Sequence, residues 1–163
     1  MVSLNPVISL AYRTLHNGTQ KKYIFGNQIS FASFAGRCNN ILYHSTDPDN
    51  YDGPELVYRE WHHWLVGNIP GGDVSKGEVL SGYIGSGPPE GTGIHRYVYI
   101  LYKQPAKIDF DEKRLTNKSI DGRAAFSTAK FAEKYNLGAP VAGNFYRAQF
   151  DDYVPLLYKS LGV

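Results

Sequence analysis

Cysteine, methionine, long apolar runs and a surplus of either charge are what this sequence lacks. Its one cysteine, Cys38, cannot form an internal disulfide, which points to a reducing compartment and to a small buried apolar role for that side chain. Apolar runs such as Tyr97-Val98-Tyr99-Ile100-Leu101-Tyr102 fall far short of the roughly 20 residues a membrane span needs. The N-terminus, Met1-Val2-Ser3-Leu4-Asn5-Pro6, has no basic stretch leading into an apolar core, so no secretory leader and a soluble, cytoplasmic protein are expected. Lys and Arg number 17 against 15 Asp and Glu, a formal charge of +2, and no basic run exceeds a pair such as Lys21-Lys22. Nucleic acid requires a concentrated phosphate-neutralising patch, so no nucleic-acid partner is expected.

What the chain has in quantity is tyrosine: 13, beside 8 phenylalanines and 2 tryptophans in 163 residues. That weighting favours β-structure and pockets with polar tips. The length suits a single domain over residues 1–163, able to bury about two thirds of its unfolded surface. Asn17-Gly18, set between extended segments from Ser9 to Phe25, predicts a hairpin with a type I′ turn. Further strands are expected at Phe31 to Phe34, Ile41 to Tyr43, Trp61 to Val66, Val79 to Ile84, His95 to Lys103 and Val141 to Phe150. Turn formers mark loops at 50 to 57, at 85 to 93 and from 104 to 123. Ser127 predicts the N-cap of a helix through Asn136, with Phe131 and Tyr135 one turn apart and Gly138 past its end. Asp151-Asp152 ahead of Val154-Pro155 reads as the start of a short closing helix. The sum is a β-rich α+β chain built on a sandwich or a large antiparallel sheet.

Residues able to do chemistry crowd between Asp47 and Tyr102: the turn Asp47-Pro48-Asp49, the run Arg59-Glu60-Trp61-His62-His63-Trp64, and the glycine-proline loop that leads into His95-Arg96-Tyr97. Alternation along a strand would send Trp61, His63 and Leu65 to one face and His62, Trp64 and Val66 to the other, so the two histidines cannot share a task. Asp, His and Tyr side chains with the backbone N–H groups of a glycine-rich loop can receive an anion that carries its own proton or an ammonium neighbour. A turn alone would account for Asp47-Pro48-Asp49; its company raises the binding reading. A metal centre finds no usual His spacing, and adjacent His62 and His63 point apart. Gly85-Ser86-Gly87-Pro88 is not a nucleophile elbow, which weakens a hydrolase built on Ser86, and the loop has no Walker lysine.

These motifs, with Gly85-Ser86-Gly87-Pro88-Pro89, Gly91-Thr92-Gly93, the run Ala139 to Tyr146 and Asp151-Asp152-Tyr153-Val154-Pro155, resemble the phosphatidylethanolamine-binding protein family, whose members include the Raf kinase inhibitor proteins. The resemblance covers the chain from about residue 45 onward; residues 1–44 diverge or are shortened. It implies a large central antiparallel sheet flanked by a smaller sheet and C-terminal helices. It also implies a small anion pocket formed by Asp47, His63, His95 and Tyr97, with Gly87, Trp61 and Pro88 as walls and Tyr158 as a gate, while Asp49 and His62 support it from outside. Where the family usually reads Asp-Pro-Asp-Ala-Pro-Ser, this chain has Asn50-Tyr51-Asp52 after Asp49. The function expected is non-enzymatic: binding of a phosphate-bearing small molecule or phospholipid head group, without cofactor or metal. Regulation of a signalling partner such as a kinase would accompany it. Membrane contact would be peripheral at most. The alternative is a protease or kinase inhibitor that acts by surface contact without need of the pocket.

Overall fold

The computed structural model describes residues 23–24, 41–49 and 58–163. Six antiparallel strands form one sheet in the order β1-β6-β5-β2-β3-β4, where β1 is Tyr23–Ile24, β2 Ile41–Asp47, β3 Trp61–Ile69, β4 Glu78–Ser81, β5 His95–Lys103 and β6 Ala142–Ala148. Among the described residues two α-helices occur: α1 over Thr128–Lys134 lies between β5 and β6, and α2 over Val154–Leu161 follows β6. The fold is thus a β-rich α+β arrangement on a large antiparallel sheet. The smaller sheet expected beside it would draw on N-terminal residues outside the described ones. The Asn17-Gly18 hairpin, the Phe31 to Phe34 strand, Cys38 and the 50–57 loop fall outside them too. Among the described residues no helix is long and apolar enough to cross a membrane.

The central strands are central because they bury side chains on both faces: β3 is buried from His62 to Ile69, and β5 alternates with His95, Tyr97, Tyr99 and Leu101 inward on one side. That side carries Trp64, Val66, Ile69, Tyr97, Tyr99, Leu101 and Tyr146. The opposite side packs Leu42, Leu65, Leu80, Tyr102 and Phe110 against Phe131 and Ala132 of α1. Ser127 caps α1 by accepting from Lys130 N–H at 3.3 Å, as expected. The helix stops at Lys134, two residues early, because Asn136 takes a left-handed φ of 51° and Gly138 one of 67°. Strand β4 ends at Ser81 instead of running to Ile84: a Cβ on Gly82 would fall 2.8 Å from Asn117 N, so the chain there is committed to the 115–117 segment. Two strands outrun their expected ends, β2 to Asp47 and β3 to Ile69, whereas β6 is shorter than Val141 to Phe150 by its last two residues and its first.

Candidate functional site

Asp47 closes β2 at the edge of a loop cluster and is 2% exposed. Its Oδ1 accepts from Asp49 N–H and its Oδ2 from His95 Nδ1, each at 2.9 Å. Asp49 accepts from Arg96 through Nε and Nη2 at 2.7 Å each, and from the Arg96 backbone N–H at 2.8 Å, which holds its carboxyl below the ordinary range. The Asp47-Pro48-Asp49 turn is therefore fastened at two points to the start of β5.

His63 reaches the site by a break in the strand's alternation. Along β2 and β3, Thr46 pairs with His62 and Ser45 with Trp64, so His63 has no partner on β2 and forms a bulge. The extra residue shifts the phase of everything after it. His63 packs edge-on to Tyr97 at 5.1 Å on the same side of the sheet as Trp64 and Val66, whereas His62 packs on Phe126 at 4.3 Å and Leu65 lies on that other side. The alternation expected from the sequence is correct for Trp61, His62 and His63 and is overturned at Trp64 and beyond. His63 Nδ1 donates to Ile84 O at 2.9 Å, leaving Nε2 as an acceptor. Burial, opposed by the charge of Asp47, holds the imidazole pKa down to about 4, so the ring is neutral at pH 7.

Tyr97 stacks on Tyr146 at 5.1 Å and is 1% exposed. Burial first, then the charge of Asp47, pushes its phenol well above the ordinary range, so it stays an O–H donor. Gly87 backbone hydrogen-bonds that phenol, and Gly87 O accepts from Tyr158 Oη at 2.9 Å. Gly87 has room for no side chain, since a Cβ would lie 2.9 Å from Leu157 and 3.3 Å from Tyr158. Loop and α2 are thereby closed against each other.

A cavity of about 820 Å³ opens here, with Asp47, His63, Tyr97, Thr92 and Gly87 at its polar end. Trp61, Tyr58, Ile84, Pro89, Ile120, Leu157, Tyr158 and Leu161 supply most of the remaining wall, which also includes the acids Glu90 and Asp121. It is larger than the small anion pocket expected, because α2 and residues 120–124 extend it, and it lies within the 300–1,000 Å³ usual for ligand sites. Two of the expected pocket residues, Pro88 and His95, do not line it, and neither do Asp49 and His62, which were expected in supporting roles outside it. Pro88 is fully buried and the proline in the wall is Pro89; Asp49 is held by Arg96; His62 lies on the other side of the sheet. His95 stands behind Asp47 with both ring nitrogens engaged, Nε2 meeting Thr92 Oγ1 at 2.8 Å. The Thr92 hydroxyl has one hydrogen and also meets Pro89 O, at 2.7 Å.

Arg123 was not singled out by the sequence, where it closes a polar, loop-like stretch. It is fully buried, and its five N–H bonds all end on backbone carbonyls. Nε donates to Ser119 O at 3.0 Å, Nη1 to His62 O at 2.9 Å and His63 O at 3.1 Å, and Nη2 to Gly82 O at 2.7 Å and Thr116 O at 2.6 Å. Burial lowers its pKa to about 10, so it is charged at neutral pH. One guanidinium thus holds the bulge, the strand leading to the glycine loop and the 119–124 wall together. A single arginine among turn formers gives no signal of this in sequence. Ser86, the rival nucleophile, is 1% exposed and is hydrogen-bonded with Tyr146. Among the described residues no group of His, Cys, Asp and Glu is placed to hold a metal.

Comparison with known proteins agrees with this architecture. The chain is 45% identical over 121 residues to "Putative odorant-binding protein A5" of Drosophila melanogaster, covering 74% of this chain and 57% of that protein. The chain thus spans little more than half the length of that relative. The solution structure of CG7054 superposes with a TM-score of 0.68 at 42% identity, over 81% of this chain and 74% of the other. A carboxypeptidase Y inhibitor, solved in complex with its cognate proteinase, superposes with a TM-score of 0.57 at 26% identity, over 81% of this chain and 70% of the inhibitor. Residues 27–147 match the family model of the phosphatidylethanolamine-binding proteins, and with a sheet and loop cluster of this form the chain belongs to that family.

Proposed function

We propose that this chain is a non-enzymatic binding protein whose cavity takes a phosphate-bearing small molecule or phospholipid head group, and that occupancy bears on a protein partner such as a kinase or protease. The observation that carries the reading is the polar end of the cavity, where Asp47, His63 and Tyr97 meet the Gly87 backbone. A protonated Tyr97 donates to an anionic oxygen. Asp47 and the free Nε2 of a neutral His63 accept, from a P–OH or from an ammonium. Phosphoethanolamine presents both kinds of group. The buried Arg123 cation behind the bulge favours the anion further. Hydrolysis has less support, because Ser86 is buried and hydrogen-bonded with Tyr146.

The test is a titration with inorganic phosphate, phosphoethanolamine and acetate while following the imidazole resonances of His63 and His95. Both phosphate compounds should move them, and Asp47→Leu should abolish the response. Silence toward both would sink the cavity assignment.

A second reading, inhibition by surface contact alone, draws on the proteinase complex of the carboxypeptidase Y inhibitor. If Asp47→Leu lost phosphate binding yet retained full inhibition of a serine carboxypeptidase, the cavity would not be the effector.

A further inference from the structure

The fold leaves much of the cavity's apolar wall uncovered. Ile84 is buried, but Ile120, Leu157, Tyr158 and Leu161 are only half-buried, and Tyr58 and Val163 are 40% and 60% exposed. On α2 these side chains run in sequence away from the polar end. A Cβ on Gly87 would fall 2.9 Å from Leu157 and 3.3 Å from Tyr158, so those two residues stand where the polar end stops. Leu161 lies one turn further along α2, on the same face as Leu157 and about 6 Å on. Gly162 then takes a left-handed φ of 76°, and Val163 N–H donates to Tyr158 O at 3.1 Å, which folds Val163 back into the wall. Residues 120–124 add Ile120 and two positions with little or no side chain, Gly122 and Ala124, which leave this limb open. The acids of the wall, Glu90 and Asp121, are exposed and so mark its side toward solvent.

We propose that the cavity's ligand is a phosphate monoester with a single apolar substituent, a short alkyl chain or a ring, lying along α2 from Leu157 to Val163. The proposal rests on the cavity reading above and deepens it by naming the class of ester group. A bare phosphate would fill only the polar end, whereas a cavity of about 820 Å³ is of the size in which drug-sized ligands bury most of their surface. Continuity selects the occupant: a group attached to a phosphate held at Asp47, His63 and Tyr97 reaches these half-covered side chains without leaving the cavity. The limb follows one face of a single helical turn, which suits one chain; a diacyl lipid would leave its second chain in water. Each CH2 buried there should tighten binding about fourfold until the chain passes Val163 into solvent.

The experiment is calorimetry on the full chain with methyl, butyl and hexyl phosphate, beside NMR of the His63 imidazole and of the leucine and valine methyls. Methyl phosphate should move the His63 resonance. Hexyl phosphate should move it too, bind at least tenfold tighter, and give nuclear Overhauser contacts to the Leu157, Leu161 and Val163 methyls. Leu161→Asn should lower the ratio of hexyl to methyl phosphate affinity at least threefold. Dihexanoyl phosphatidic acid, with two chains, should bind no tighter than hexyl phosphate. If methyl phosphate left His63 unmoved, the cavity reading would fall and this inference with it. If methyl phosphate moved His63 but hexyl phosphate bound no tighter, if Leu161→Asn kept the native ratio, or if the two-chain ester bound tighter than hexyl phosphate, this inference alone would be overturned. Should the variant not fold, the ester series and the Overhauser contacts in the native chain decide.

Discussion

Lowering the pH from 7 to 4 should expose the electrostatic strain of placing His63 in a dry site. The imidazole is buried and donates through Nδ1 to Ile84 O, and its pKa is about 4 against an ordinary 6.5. In the unfolded chain the ring takes a proton near 6.5, so between pH 6.5 and 4 the unfolded state binds more protons than the folded one. Stability therefore rises with pH through that window; the contribution is whole above 6.5 and is lost as pH falls through 4. A separation of about 2.5 pH units, at 1.36 kcal/mol each, amounts to about 3 kcal/mol. Native domains hold only about 5–15 kcal/mol in total, so the loss should be plain. The assay is urea unfolding at half-unit steps from pH 7 to 4, for the native chain and for His63→Phe. Asp49, whose carboxyl Arg96 holds below its ordinary range, begins to lose its contribution only at the acid end of the scan, and that loss is common to both proteins. The native chain should lose about 3 kcal/mol more than the variant. Parallel pH profiles, or a His63 resonance titrating near 6.5, would refute the reasoning.

Three other expectations concern the supports of the site. Counting about 1 kcal/mol for each of the five carbonyls that Arg123 serves, Arg123→Met should cost about 5 kcal/mol in urea unfolding, and Arg123→Lys, with three donors and no fork, should recover only part. Tyr158→Phe removes the donor to Gly87 O and should cost about 1 kcal/mol in melting experiments, with faster ligand release in stopped-flow. In Gly67→Ala the new Cβ would lie 2.3 Å from the Phe110 ring, so calorimetry should show a loss of about 1–3 kcal/mol from overpacking beneath β3.

Periodicity and capping carried most of the fold into view. Strand β5 was legible to the residue because its alternation is regular, and α1 because Ser127 is a good cap and Phe131 sits one turn before Tyr135. The phase of β3 after His63 was not, since a bulge adds one residue without requiring a special residue type at that point. Asp47, His63 and Tyr97 were identified together with the wall residues Trp61, Gly87 and Tyr158, which the cavity gathers. His95 and Pro88 were placed in the wall too, but they stand behind it, because Thr92 takes the outer nitrogen of the one and the loop buries the other. Arg123 and the buried set in which Asn68 contacts Gln104, Glu78 and the backbone of Ile108 depend on partners up to tens of residues away, which local pattern does not encode.

The bulge has a consequence for loss of a residue as opposed to exchange of one. With Thr46 opposite His62 and Ser45 opposite Trp64, excising His63 would remove this irregularity and leave only the one between Ile41 and Tyr43, and the side chains flanking the excision would keep the side of the sheet they now occupy. The cavity's histidine is thus supernumerary to the strand that carries it. A one-codon deletion should yield a chain with native core methyl resonances and no phosphate response, whereas a deletion at Leu65, a position that has a partner, would scramble the core as well. Scaffold and cavity lie on separable parts of one strand, so a gene of this kind can shed the site and keep the fold in a single step.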